Sequence, residues 1–327
     1  MRTSGGLFRS ILRAGAPVAH GRRRAQLALL TGGATVGGGL TLWLLVSWLY
    51  AQRLLHPARL AGGSLPSDLG YAYRDVAFTT ADGFTLRGWW IDAPEPGAAV
   101  GTVIMLPGVG STRAFTLARA GYLHRANYNL LLYDQRASGE SGGTHITIGV
   151  READDARRAV DMAQALAPCP IVLFGYSMGG SVAITAAASD RRVAAVIDDS
   201  GFGSVKDLVE ATGYRYTRPI PPSVLAVPIF AMVRRLGGFD LRSIKPIDAA
   251  AHLDAPLLVI TGELDEIVPA AQQRALARRA RGPARQVVFP GAGHEQAYVL
   301  MREEYEDLVL GFLASHLGTW MVESAGG

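Results

Sequence analysis

Pro170-Ile171-Val172-Leu173-Phe174-Gly175-Tyr176-Ser177-Met178-Gly179-Gly180 is the stretch on which the rest of the chain can be hung. Its first five residues are an apolar burst of strand length and type. The run that follows, Ser181-Val182-Ala183-Ile184-Thr185-Ala186-Ala187-Ala188, reads as a helix packed on both sides. Between them Ser177 stands at the tip of a turn with Gly175 two places before it and Gly179 two places after. The spacing is steric. A serine lifted clear of a sheet edge needs a tight, strained turn, and side chains at the two flanking positions would collide across it. The helix beyond then aims its N-terminal N–H groups at the serine, where negative charge is favoured. The pattern is weak alone, since Gly139-Glu140-Ser141-Gly142-Gly143 also satisfies G-x-S-x-G. That second match follows a charged turn and opens no helix, so it reads as a flexible loop with a solvated serine.

The 327 residues suffice for one large core or two modest ones, and 49% of them are hydrophobic. That is a globular composition with an extra apolar segment. The formal net charge of +4 is arginine-rich, and six arginines precede residue 25 (Arg2, Arg9, Arg13, Arg22, Arg23 and Arg24). The remainder carries no marked basic excess and no Lys/Arg stripe interleaved with aromatics, which argues against nucleic-acid binding. Cys169 is the only cysteine, so neither an intramolecular disulfide nor a thiolate metal cluster is available.

Residues 1–26 form a basic N-terminus, expected to be cytoplasmic. From Leu27 to Tyr50 no charge occurs, and as a helix that run covers about 36 Å, enough for a hydrocarbon core of about 30 Å. Trp43, Trp48 and Tyr50 gather at its far end, where interfacial aromatics belong. Residues 27–50 therefore read as an uncleaved signal-anchor helix. The arginine flank keeps the N-terminus inside and puts the bulk of the chain on the outer side of the membrane. A cleaved signal peptide fits less well, because Leu49-Tyr50-Ala51 lacks the cleavage pattern. Residues 51–70 read as a linker, 71–318 as the folded domain and 319–327 as a tail.

Within 71–318 the order is regular. Residues 73–79 and 85–91 alternate about Ala81-Asp82-Gly83 and predict a hairpin. Strands follow at 102–106, 129–133, 170–174, 193–198, 256–261 and 285–289. Helices are predicted over about 112–124, 149–166, 269–280 and 296–316. The sum is an α/β fold: a mostly parallel eight-stranded sheet with an antiparallel edge and helices on both faces. Over fifty residues between the sixth and seventh strands show no strand pattern, and about 203–252 reads as a cap inserted at the carboxyl edge, where ligands bind in open α/β sheets.

A serine hydroxyl needs a base within reach and an acid to hold that base. The seven histidines are His20, His56, His124, His145, His252, His294 and His316; His20 and His56 flank the apolar segment, His124 and His316 sit late in amphipathic helices, and His252 precedes a strand. His294, in Phe289-Pro290-Gly291-Ala292-Gly293-His294, falls just past the last strand on a glycine-loosened loop at the edge where Ser177 must lie. Asp265 follows the preceding strand, in Thr261-Gly262-Glu263-Leu264-Asp265. Its rivals are Glu263 and Glu266 in the same loop and Asp198 and Asp199 after the sixth strand. Oxyanion donors are expected at the N–H of Met178, after the nucleophile, and of Val109, in the turn Pro107-Gly108-Val109-Gly110. Gly108 and Tyr176 are candidate substrate contacts. The order Ser177, Asp265, His294 is one of three known for such triads.

These motifs, with Leu106-Pro107-Gly108 and Asp134-Gln135-Arg136-Ala137-Ser138-Gly139-Glu140-Ser141, make the chain from about Tyr71 to His316 resemble the α/β-hydrolase family. The resemblance is strongest to its BEM46-like and serine-aminopeptidase-like branch with an N-terminal membrane segment. It implies a serine hydrolase that cleaves a carboxylic ester or thioester, with a peptidase or amidase as the enzymatic alternative. A catalytically silent, membrane-tethered interaction protein is the non-enzymatic one. The implied partner is a small-molecule or lipid-like acyl substrate, and no cofactor or metal is required. The family commonly has His-Gly where this chain has Pro107-Gly108. By resemblance, Asp134 and Arg136 belong to an ion-paired structural loop near the site.

Overall fold

The structure is a computed structural model. It describes residues 18–60, 62–217 and 221–324, with side chains excepted over 18–36, 212–217, 223 and 318–324. Two units are distinguished, Met1–Leu49 and Tyr50–Gly327.

Eight strands form one sheet: β1 (Arg74–Thr79), β2 (Thr85–Ile91), β3 (Gly101–Leu106), β4 (Tyr128–Tyr133), β5 (Ile171–Tyr176), β6 (Val193–Asp199), β7 (Leu257–Gly262) and β8 (Ala284–Phe289). Their order is β1-β2-β4-β3-β5-β6-β7-β8. β2 pairs antiparallel with both β1 and β4, and every later pairing is parallel. β3 to β7 are buried along their whole length, as strands covered by helices on both faces must be. Alternation divides them between two cores. Ile104, Leu106, Leu131 and Leu173 face one, with Ala156 and Val160 of the helix Glu152–Leu166 and Val182 of the helix Met178–Ala187. Val103, Met105, Val172 and Phe174 face the other, with Tyr305, Val309 and Leu313 of the helix Arg302–Ser324.

The sheet and its antiparallel edge match the sequence reading, and the strand bounds move by no more than two residues. The helices differ more. The one expected over 112–124 is two, Arg113–Leu117 and Gly121–Arg125; the second opens at Gly121, where a β-carbon would come within 2.9 Å of the Tyr71 hydroxyl. The last is also two, Ala297–Leu300 and Arg302–Ser324, and it runs through the expected tail as far as Ser324. Between β6 and β7 the insertion carries helices at Val205–Thr217, Pro222–Leu225, Val227–Gly237 and Pro246–Ala250 and, among the described residues, no strand.

A helix spans Val18–Leu55, covering the expected 27–50 segment and more. Among the described residues no helix is long and apolar enough to cross a membrane. The expected span over 27–50 falls only in part on residues with described side chains, which begin at Gly37. The side chains of 27–36 and all of residues 1–17 lie outside the described residues. Leu42, Val46, Leu49 and Tyr50 are exposed. The segment 51–70 does not behave as a free linker. Ala51 and Leu55 are fully buried in the core, Leu55 O accepts from Ile146 N–H at 2.9 Å, and Arg59 donates to Ser141 O at 2.7 Å and Gly143 O at 2.8 Å.

Candidate active site

Ser177 follows β5 and is the N-cap of the helix Met178–Ala187 with φ 51° and ψ −118°, a left-handed φ rarely adopted by a non-glycine residue. The glycines permit it. A β-carbon on Gly175 would lie 2.0 Å from Gly179 O, and one on Gly179 would lie 2.0 Å from Leu106 O. Neither position admits a side chain without moving backbone.

The loop after β7 and the loop after β8 bring the partners in. His294 Nε2 is 2.9 Å from Ser177 Oγ, and His294 Nδ1 is 2.8 Å from Asp265 Oδ2. A carboxylate only accepts, so Nδ1 carries the proton and Nε2 is left to accept from the serine hydroxyl. Asp265 is itself fixed: its Oδ1 accepts from the N–H groups of Ile267 at 2.9 Å and Val268 at 2.8 Å, and its side chain is fully buried. Burial works against a charged imidazole at 294. The hydrogen bond and charge of Asp265 outweigh it, and with Glu295 and Asp199 they hold the His294 pKa above its ordinary value.

The rivals for the acid go elsewhere. Glu263 accepts from Gly291 N–H at 2.9 Å. Asp199 takes the Tyr305 hydroxyl at 2.7 Å and the Ser200 hydroxyl at 2.8 Å. Asp198 lies fully buried on the other face, against Gly180 and Gly201. Its Oδ1 accepts from Gly201 N–H while its Oδ2 has no partner, and burial, then the Asp199 charge, push its pKa up to about 8.

Gly108 faces Ser177, whose Cβ is 3.2 Å from where a Gly108 β-carbon would sit. The N–H groups of Val109 and Met178 donate to no backbone acceptor among the described residues. Tyr176 is a correction. Expected as a substrate contact, it is fully buried, 5.0 Å from the Phe174 ring and 5.5 Å from the Phe115 ring, because the last residue of β5 turns into the second core.

The loop from Asp134 to Ser141 holds the turn Pro107-Gly108-Val109-Gly110. Gln135 Nε2 donates to Pro107 O at 2.5 Å, and Asp134 accepts from Arg113 N–H at 2.8 Å and pairs with its guanidinium at 3.4 Å. Arg136 binds Asp155 through two hydrogen bonds of 2.7 Å and reaches Asp82 at 3.0 Å. Ser141, read as a solvated serine, is fully buried. It donates to Asp134 O at 2.6 Å and accepts from Arg87 N–H at 2.9 Å. Its glycine neighbours serve close packing there, not a reacting centre. Among the described residues no group of three His, Cys, Asp or Glu side chains could hold a metal ion.

Sequence reasoning missed Glu295, Ser200 and Arg119. Glu295 directly follows His294, yet nothing in its neighbours signals that its side chain turns toward Gly108.

Comparison with known proteins agrees with this architecture. Residues 103–309 match the model of the Alpha/beta hydrolase family. An uncharacterized Mycobacterium tuberculosis protein, Rv2307c, is 30% identical over 288 residues, which is 86% of this chain and 92% of that one. The Pyrococcus furiosus esterase Pf2001 superposes with a TM-score of 0.67 at 28% identity, over 81% of this chain and 98% of that one. The polyketide transferase GrgF of Penicillium is 36% identical over 150 residues, 42% of this chain and 46% of that protein. Its crystal structure superposes with a TM-score of 0.58 over 76% of this chain and 99% of that one. The fold, the family match and the shared length lead to one statement: this chain belongs to the alpha/beta hydrolase family.

Proposed function

We propose that the chain is a serine hydrolase of carboxylic esters or thioesters, of the BEM46-like branch. The support is the hydrogen-bonded line from Ser177 through His294 to Asp265, with contacts of 2.9 and 2.8 Å. In this reading Ser177 Oγ bonds to the acyl carbon while its proton passes to His294 Nε2. The carbonyl oxygen becomes an oxyanion facing the Val109 and Met178 N–H groups. Collapse breaks the bond to the leaving oxygen or sulfur, which takes the proton from His294. Water then repeats the steps and frees the acid. Asp265 holds the tautomer and the imidazolium throughout. Val109, Leu264, Ile267, Val299 and Leu300 lie close in sequence to Gly108, Asp265 and His294 and are 44% to 67% exposed, which favours an apolar acyl group. The esterase among the structural neighbours supports the same class.

A fluorophosphonate is expected to label the protein once, at Ser177. Labelling is expected to vanish in Ser177→Ala, and p-nitrophenyl esters of graded length are expected to outrun an aminopeptidase substrate. Labelling that survives Ser177→Ala would remove the proposal.

We further infer attachment to a membrane through residues 27–50, with the hydrolase on the outer side, from the charge-free run and its arginine flank. The full chain is then expected to stay in the pellet when membranes are washed at alkaline pH. Release into the supernatant would dispose of the anchor.

A further inference from the structure

Glu295 stands where the chemistry above uses no acid. Three non-glycine residues with left-handed backbone meet at this point: Ser177 at φ 51°, Ser200 at φ 65° and Glu295 at φ 55°. Glu295 N–H donates to Ser200 Oγ at 3.2 Å, and Ser177 N–H donates to Asp199 O at 2.8 Å. Such conformations persist only where the surroundings over-determine them, and they gather at working sites. The consequence for Glu295 is its direction. Its Oε1 lies 3.1 Å from the point where a β-carbon on Gly108 would sit, and Ser177 Cβ lies 3.2 Å from the same point. The carboxyl thus rests on the oxyanion turn, beside the nucleophile, and forms no hydrogen bond or ion pair of its own among the described residues.

The groups that face it come from every side. Asp199 lies at the end of β6, Asp265 in the loop after β7, His294 beside it, and Arg119 between the helices Arg113–Leu117 and Gly121–Arg125. Tyr176, at the end of β5, is fully buried and within electrostatic reach of Glu295. The turn itself, Pro107-Gly108-Val109, contributes no titratable side chain. Burial, then the Asp199 charge, raises the Glu295 pKa from 4.5 to about 7, against the pull of His294 and Arg119.

We propose that Glu295 is a positioning residue for the oxyanion turn whose charge state decides whether that turn welcomes an anion. As a neutral acid it leaves the Val109 and Met178 N–H groups to act on the developing oxyanion. As a carboxylate it sets a like charge next to them and slows the step in which the Ser177 Oγ–carbon bond forms. Glu295 exchanges no proton with the substrate, and the transfers stay between Ser177, His294 and the leaving group. The inference rests on the serine-hydrolase reading.

The pH profile carries the test, with signs fixed by the two groups. His294 must be neutral to accept, so the rate climbs with pH through its raised pKa. Glu295 must also be neutral, so the rate falls as pH passes about 7. The wild-type enzyme is expected to show a narrow bell in kcat/KM with an alkaline limb. Glu295→Gln keeps the size and removes the charge. It is expected to lose that limb and to exceed wild type about tenfold at pH 9, while changing about twofold or less at pH 6. Glu295→Asn, which accepts a left-handed backbone readily, is expected to behave alike and guards against a folding artefact. A purely structural role would lower the whole curve without changing its shape. A falling limb retained in both variants, or a wild-type plateau above pH 8, would overturn the proposal. The rate of fluorophosphonate labelling against pH gives the same readout without a chosen ester. A wild type that takes no label at any pH would instead sink the serine-hydrolase reading, and this inference with it.

Discussion

Ser177→Ala is expected to lower kcat on a p-nitrophenyl ester on the order of 10⁶-fold, and His294→Ala by about as much. The reason is that the two side chains act as one device. At neutral pH an unassisted serine hydroxyl is a poor nucleophile, and an imidazole 2.9 Å away is useful only while there is a hydroxyl to deprotonate. The double variant is therefore expected to be scarcely slower than either single one, and that non-additivity is the sharper observation. Asp265→Ala is expected to lose less, on the order of 10⁴-fold, because the base remains and only its orientation and charge support go. Glu263→Gln is expected to stay within about threefold of wild type, since its carboxylate accepts from the Gly291 N–H and not from His294. Residual activity above about one per cent in Ser177→Ala would mean that another nucleophile does the work.

The second large effect concerns stability. Arg136 is 3% exposed at its side chain, and Asp155, its bidentate partner, is 2% exposed. Removing one member leaves the other charge buried and unpaired, which costs about 3–5 kcal/mol. Arg136→Ala is thus expected to lower Tm by roughly 10 °C in a domain of this size. Arg136→Met combined with Asp155→Leu is expected to recover most of that loss, since no lone charge remains. The surface pair Arg74–Asp92, 56% and 51% exposed at its side chains, serves as control, and Asp92→Asn is expected to shift Tm by about 2 °C or less. Calorimetry separates the cases. Equal shifts for Arg136→Ala and Asp92→Asn would refute the structural weight given to Arg136.

The parts that could be read from the residues alone were those with a local physical signature. The buried parallel strands announce themselves as unbroken apolar runs such as Pro170 to Phe174, because both faces are covered. The glycines around Ser177 announce a turn, since no other residue fits 2.0 Å from a neighbouring carbonyl oxygen. The positions of Asp265 and His294 follow from strand ends, because loops at one edge of a parallel sheet share that edge. What escaped was decided by tertiary contact. Ser141 has the composition of a loose loop but is pinned by Arg87 and Asp134, which are distant in sequence or bonded through backbone. Gly121, which opens the second half of the split 112–124 helix, packs against the hydroxyl of Tyr71, some fifty residues upstream. Tyr176 directly precedes Ser177, yet the pleat sends its ring into the second core.

The docking of Leu55 and Arg59 redraws where the enzyme begins. Arg59 grips the carbonyls of Ser141 and Gly143, the same loop grips Pro107 through Gln135, and Pro107 leads into the turn at Gly108 that faces Ser177. A chain trimmed to start at Tyr71 keeps all eight strands but loses the first handhold of this relay and uncovers the hollow that Leu55 fills. The folded domain therefore reaches back to Ala51, and the arm ahead of the sheet counts as part of it.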